Sequence, residues 1–152
     1  MPSDRVLAAV ETATGQGRTS MNNVEIVKYI YEKFKHGDAP SILTTFAPDV
    51  EFRLAEGHPY QPSGEPWLGK DAITQHFFAK AGPEWDWSIA LANVHDLGDT
   101  VVVEGRYKSV YKPTGKALDA QTCHVWKFKN GTVKSFHQYA DTAQIQEVMT
   151  HS

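Results

Sequence analysis

His124 and Gln138 are the two side chains whose types and spacing point to chemistry. Between Leu118 and Phe128 the residues alternate. Leu118, Ala120, Thr122, His124, Trp126 and Phe128 share one face of a strand, with Asp119, Gln121, Cys123 and Lys127 on the other, because a strand repeats every two residues. An imidazole on an otherwise apolar face is either a core histidine satisfied by hydrogen bonds or an acid, base or carbonyl donor. Its ordinary pKa lies near neutrality, and burial lowers it. Gln138 shares strand parity with Phe136 and Ala140, so it points inward beside His124. An amide there can orient a ligand or hold the tautomer of the histidine, but it cannot exchange protons as a carboxylate does.

Other candidates surround this pair. A loop rich in glycine and proline, Glu56 to Gly69, carries His58, Tyr60 and Trp67, which either gate the mouth of a pocket or cap a core. Glu56 and His58 are a further acid/base combination. Trp85, Trp87, Tyr107 and Trp126 read as core and pocket wall. Asp141 stands at a strand-to-helix junction with Gln144 three residues on and reads as a helix cap. His137 and Tyr139 have outward parity, suited to solvent or a dimer face; a bulge near Lys134, which otherwise has inward parity, would flip them. No two histidines stand four apart with a glutamate between them, and no acidic cluster joins them, so no metal is expected. No glycine-rich phosphate loop is present, so no nucleotide cofactor is expected either.

The elements that must position these residues follow from capping signals and periodicity. Asn22 and Glu25 make a capping box, and Val24, Val27, Ile30, Tyr31 and Phe34 recur at helical spacing until Gly37. Asp38 caps a second, short helix bearing Ile42, Leu43 and Phe46 that stops at Pro48. Val50, Phe52 and Leu54 alternate with Glu51 and Arg53 as a strand. A third helix runs from about Lys70 to Ala81 and closes at Gly82-Pro83. Trp85 to Asp96 reads as one long strand and Thr100 to Lys112 as the next, joined by Leu97-Gly98-Asp99. Pro113 to Gly115 turns into the His124 strand, Asn130-Gly131 marks a hairpin, and Val133 to Ala140 leads into a closing helix. The order α-α-β-α-β-β-β-β-α predicts an α+β fold. In it a curved, mostly antiparallel sheet wraps around the N-terminal helices, with a conical cavity between them. Residues 1–21 read as a tail or short helix, and 22–152 as the folded domain.

At 152 residues the chain is one domain with room for a sizeable core. Its net charge of −3 comes without a basic stripe, which argues against nucleic acid. Cys123 is the single cysteine, so neither an intrachain disulfide nor a thiolate cage is available. No apolar run approaches the ~20 residues of a membrane span, and the start lacks the pattern of a secretory signal. A cytoplasmic protein is expected, with no membrane partner.

The chain resembles the nuclear transport factor 2-like superfamily from about Asn23 to Met149, most closely its SnoaL-like and ketosteroid-isomerase-like branches. The likeness rests on the order and spacing of Tyr29, Gly37-Asp38, Phe46-Ala47-Pro48-Asp49-Val50, Gly69-Lys70-Asp71-Ala72-Ile73, Trp126 to Gly131 and Tyr139-Ala140-Asp141-Thr142-Ala143. It implies a cone-shaped barrel, an apolar pocket and often a homodimer. Activities in the superfamily include isomerases, cyclases, dehydratases and epoxide hydrolases, and other members only bind. Steroid isomerases of this fold carry an aspartate base where this chain has Leu54, and a first-helix tyrosine where it has Ile30, flanked by Tyr29 and Tyr31. Their acidic oxyanion donor falls at His124. Steroid isomerase activity is therefore not expected. SnoaL-type cyclases pair a histidine on the penultimate strand with an aspartate fourteen positions later; here the pair is His124 and Gln138. The resemblance implies a cofactor-independent isomerase, cyclase or lyase that moves a proton on a hydrophobic carbonyl compound. His124 would be its acid/base or oxyanion donor and Gln138 its orienting amide. Leu54, Tyr31, Tyr107, Trp126, Phe136, His58, Tyr60 and Trp67 would contact the substrate. The alternative is a non-catalytic binding protein using the same pocket. Either would pair as a homodimer through the convex sheet face, which is also the surface a pure interaction module would use.

Overall fold

Helix capping sets the first two elements. The structure, a computed structural model, describes residues 21–151; the expectation of a tail or short helix before them lies outside the described residues. Helix α1 (Asn23–Lys35) starts with the expected reciprocal cap: the Asn22 side chain accepts from the Glu25 N–H at 2.8 Å, and Glu25 Oε1 accepts from the Asn22 N–H at 3.0 Å. Two backbone donors that the helix itself cannot pair are thereby satisfied. The buried face of α1 carries Ile26, Val27, Ile30 and Tyr31. Asp38 caps α2 (Ala39–Leu43) by accepting from the Ser41 N–H at 3.1 Å.

From here the chain departs from expectation in four places. First, α2 ends at Leu43 and Phe46 already opens strand β1 (Phe46–Arg53). The Val133 N–H donates to the Thr45 carbonyl at 2.8 Å, and a register shift between Phe46 and Glu51 carries Pro48, which has no N–H for a ladder. Second, Trp67 and Leu68 form a short strand β2 on β1 rather than a free loop, with Phe52 opposite Trp67 and their rings stacked. Third, the single strand expected over Trp85 to Asp96 is two, β3 (Trp85–Asp86) and β4 (Ile89–Asp96). At the break the Ser88 carbonyl still accepts from the Lys108 N–H at 2.8 Å, while the Ser109 hydroxyl accepts from the Ser88 N–H at 3.0 Å and donates to the Ser88 carbonyl at 2.9 Å, so a side chain stands in as partner of the Ser88 N–H. Fourth, the third helix runs as α3 (Lys70–Ile73), a π-helical turn (Thr74–Phe78) and α4 (Ala79–Glu84), ending three residues later than expected.

The remaining strands are β5 (Thr100–Tyr111), β6 (Lys116–Lys129) and β7 (Thr132–Ala140), followed by α5 (Thr142–Val148), which Asp141 caps. The seven-stranded sheet is ordered β2-β1-β7-β6-β5-β3, with β4 also on β5; only β1 and β7 run parallel. The sheet is curved and unclosed, and the helices pack on its concave face. On β6 the period-two count holds throughout: Leu118, Ala120, Thr122, His124, Trp126 and Phe128 are all buried. On β7 a bulge skips Lys134, since Lys127 pairs with Ser135 and Phe128 with Val133. The bulge lets Val133 point inward and leaves Lys134 exposed, while His137 and Tyr139 stay on the outer face. Among the described residues no helix is long and apolar enough to cross a membrane.

Gly105 marks a close backbone approach in the sheet. A Cβ there would lie 2.8 Å from the Ala90 carbonyl oxygen, beside the bulge between Leu91 and Asn93. Gly105→Ala should destabilise the fold by about 1–3 kcal/mol and lower Tm by roughly 2–10 °C. Gly82→Ala, where a Cβ meets nothing within 4 Å, should leave Tm unchanged or higher. Equal melting of the two variants would show that the β4 bulge does not depend on Gly105.

Candidate functional site

The three central strands bring the polar residues together. His124 on β6 lies directly opposite Gln138 on β7. Tyr107 on β5 faces the small Ala120 of β6, which leaves it free to lean toward His124. From the helical layer α1 contributes Tyr31, ninety-three positions from His124 in sequence. All four side chains are buried.

They form one continuous chain of hydrogen bonds. The Trp126 indole N–H donates to the Tyr31 hydroxyl oxygen at 3.0 Å, and that hydroxyl lies 2.6 Å from His124 Nδ1. On the far side of the ring, His124 Nε2 lies 2.7 Å from the Tyr107 hydroxyl. Gln138 Nε2 donates to the same Tyr107 oxygen at 2.8 Å, while Gln138 Oε1 accepts from the Ala55 backbone N–H at 3.2 Å. The Ala55 N–H can only donate, so the amide oxygen faces it and the NH2 faces Tyr107.

Proton counting then gives the site its character. Burial drives the His124 pKa down to about 3, so the ring is neutral near pH 7 and carries one N–H. Burial also pushes Tyr107 up to about 12, opposed by its hydrogen bonds with Thr122 and Gln138, and holds Tyr31 well above its ordinary value. Both tyrosines are therefore protonated. One hydroxyl donates to the bare ring nitrogen. The other receives the ring N–H, and its own proton is not used inside the chain. One O–H donor is thus left over, for Thr122 or for a ligand.

A cavity of about 450 Å³ opens in front of this chain. Phe52, Leu54, Phe77, Phe78, Trp87, Trp126 and Phe136 supply its apolar wall, and Tyr31, Tyr107, His124 and Gln138 its polar end. Exposed Lys28, Glu32 and Lys35 of α1, with Ser88 and Leu91 across from them, mark the mouth. The structure thus gathers Leu54, Tyr31, Tyr107, Trp126, Phe136, His124 and Gln138 of the residues expected from sequence. The remaining three, His58, Tyr60 and Trp67, do not line the cavity, and of the two readings of their loop the packing fits the core cap. Their loop closes on itself: Gln61 accepts from the Leu54 N–H at 2.8 Å and donates to the Phe52 carbonyl at 3.1 Å. His58 is buried with Nδ1 accepting from the Tyr60 N–H at 3.1 Å, the Tyr60 hydroxyl bonds Glu84, and Trp67 stacks between Phe52 and His76. With His58 committed there, it forms no acid/base pair with Glu56 at the cavity.

Sequence reasoning placed Trp87 in the wall but missed the mouth and the Phe77–Phe78 part of the wall. The i, i+4, i+7 row Lys28, Glu32, Lys35, running alongside Tyr31 on α1, was the available signal for the mouth. Among the described residues no three His, Cys, Asp or Glu side chains converge as a metal site. Cys123 lies on the outer face, where burial raises its thiol pKa.

Comparison with known proteins agrees with this architecture. The SnoaL-like domain family matches residues 27–136. A crystal structure of an NTF2-like protein from Burkholderia thailandensis E264 is 30% identical, with a TM-score of 0.76, covering 86% of this chain and 98% of that one. An NTF2-like protein of unknown function from Burkholderia pseudomallei K96243 is 27% identical over 86% of this chain and 98% of its own, with a TM-score of 0.77. TerC, co-crystallised with polyporic acid, is 26% identical over 83% of this chain and 96% of its own, with a TM-score of 0.72. No curated protein matches the chain.

Two buried neutral histidines make stability depend on pH. Burial lowers His58 to about 4 and His124 to about 3, while in the unfolded chain each titrates near its ordinary value of 6.5. Between those limits the unfolded state binds more protons, so stability rises with pH. Their contribution is complete above about pH 6.5 and is lost as pH falls toward the folded-state values. Tm measured from pH 7 to pH 4 should fall less steeply for His124→Gln than for wild type. Parallel curves would show that His124 is not held neutral by the fold.

Proposed function

The chain belongs to the SnoaL-like domain family, and from that premise we propose that it binds a hydrophobic, carbonyl-bearing small molecule and moves a proton on it without a cofactor. The reaction would be of the isomerase, cyclase or lyase type. The observation that carries this reading is the buried Tyr31–His124–Tyr107 hydrogen-bond chain at the polar end of an apolar cavity, whose proton count leaves one O–H for a ligand to accept. A buried donor aimed at a carbonyl oxygen stabilises the negative charge that develops there as an adjacent bond to hydrogen breaks. Tyr31 and Tyr107 are the groups that meet the ligand oxygen. His124 acts through them, because both its ring nitrogens are taken by hydroxyls, and Gln138 orients Tyr107. The likeness to TerC, which was co-crystallised with polyporic acid, supports a small organic ligand.

A second reading, a non-catalytic binding protein, is favoured by the lack of an interior carboxylate. Among the described residues Glu32 is the only acid lining the cavity, and it sits at the exposed mouth; by the resemblance, Leu54 stands where steroid isomerases of the fold place their base. Fold alone does not choose between the two.

The test is a thermal-shift screen with polyporic acid, polycyclic ketones and epoxides, followed by turnover assays on Tyr31→Phe and Tyr107→Phe. A ligand at ~100 times its Kd should stabilise the protein by about 2.7 kcal/mol. Loss of the donor should reduce turnover roughly 10²–10³-fold with a smaller change in affinity. Binding without turnover in the wild type would select the second reading, and no binding across the panel would overturn both.

The convex sheet face is the proposed pairing surface of a homodimer. It presents His137 stacked on half-exposed Tyr139 at 4.1 Å, flanked by Glu51 and Arg53 of β1 on one side and Lys127 of β6 on the other. Both charge signs on one patch suit a two-fold contact with itself. Sedimentation should show a dimer that Tyr139→Arg converts to monomer; a monomeric wild type would contradict the assignment.

A further inference from the structure

The hydrogen-bond chain that offers one donor can also run in two directions. In one arrangement Tyr31 donates to His124 Nδ1, the Nε2–H donates to Tyr107, and the spare hydroxyl proton is on Tyr107. In the other, Tyr107 donates to Nε2, the Nδ1–H donates to Tyr31, and the spare proton is on Tyr31. The heavy atoms need not move between the two, because the distances of 2.6 Å and 2.7 Å suit a proton on either side of each contact. Trp126 and Gln138 each place an N–H on the outer tyrosine oxygens in both arrangements, so neither end loses its partner when the direction reverses.

We propose that Tyr31, His124 and Tyr107 form a neutral proton relay, which takes a proton from the ligand at one hydroxyl and returns a proton to it at the other. The inference rests on the carbonyl-site reading above and deepens it. Take the first arrangement as the start, with a ligand enol O–H at Tyr31 and a ligand carbonyl oxygen at Tyr107. The enol proton passes to the Tyr31 oxygen as the Tyr31 proton moves to Nδ1. The Nε2 proton moves to the Tyr107 oxygen, and the Tyr107 proton passes to the carbonyl oxygen. Within the ligand, the lone pair left on the enol oxygen becomes the new C=O π bond and the π electrons shift along the conjugated path to the old carbonyl. One proton leaves the ligand and one arrives. No oxidant is needed, no ion remains, and the relay ends in its second arrangement. A step of this kind needs no carboxylate, which accounts for Leu54 and Gln138 standing where relatives of the fold place acids. The ligand class that fits is a conjugated hydroxy-carbonyl compound able to reach both tyrosines.

The readout is the 15N NMR spectrum of the His124 ring in the full protein, which distinguishes Nδ1–H, Nε2–H and doubly protonated imidazole. A buried N–H without an acceptor is costlier than a bare nitrogen without a donor. Tyr31→Phe should therefore place the proton on Nε2 and Tyr107→Phe should place it on Nδ1, with the ring neutral at pH 7 in all three proteins. The same tautomer in both variants, or a doubly protonated ring in the wild type, would overturn the relay. His124→Gln adds a functional arm: glutamine can hydrogen-bond both tyrosines but carries no proton between them. Turnover of a hydroxy-carbonyl substrate should fall at least tenfold while the thermal shift with polyporic acid persists, and retained turnover would likewise overturn the relay. Probe binding is read separately by thermal shift. A protein that fails to bind any probe therefore contradicts the pocket reading, and tautomers that ignore the variants contradict the relay.

Discussion

An imidazole buried in an aromatic wall must have both its nitrogens satisfied, and the architecture around His124 meets that requirement. An unpartnered ring N–H or lone pair in such surroundings costs on the order of 1–3 kcal/mol. Here a donor or acceptor comes from α1 on one side and from β5 on the other, and each of those tyrosines is itself held by a further N–H from β6 or β7. The network thus ties four elements to one ring. It ends at the Ala55 backbone N–H, just past β1, so the last member of the chain also closes off the strand at the edge of the cavity. A polar network that pairs both ring nitrogens fixes side-chain positions more tightly than apolar packing alone. That rigidity is what the proposed function asks of it.

Much of this frame was legible in the residues. Capping by Asn22, Asp38 and Asp141 follows from local chemistry that needs no partner elsewhere in the chain. The inward row on β6 and the pairing of His124 with Gln138 follow from period-two geometry and the Asn130-Gly131 turn, where both residues adopt positive φ. The bulge at Lys134 was foreshadowed by a charged residue with inward parity, since a lysine facing a core is a conflict that an extra residue relieves. Strand breaks were less legible. Nothing in the alternation from Trp85 to Asp96 signals that Ser109, on another strand, bridges the gap at Ser88.

The site itself was half legible, for a physical reason. Contacts within a hairpin are set by register, so Gln138 and Tyr107 can be placed near His124 by counting. Contacts between the sheet and α1 depend on how a helix settles on a curved surface, and no count along the chain gives that. The bond between Tyr31 and His124 was therefore out of reach, and with it the recognition that the imidazole is covered by hydroxyls on both sides. The His58 to Trp67 loop read as either gate or core cap for the same reason; Gln61 folds it back against the end of β1.

On this account the protein keeps the cavity of its family while replacing carboxylates with a neutral chain of hydroxyls around one histidine. The claim is geometric, and a crystal structure of the complex with polyporic acid tests it most directly. The account predicts a ligand oxygen within hydrogen-bond distance of the Tyr31 or Tyr107 hydroxyl, with His124 still bonded to both tyrosines. A ligand oxygen bonded straight to a ring nitrogen of His124, or a ligand seated outside the cavity, would contradict it.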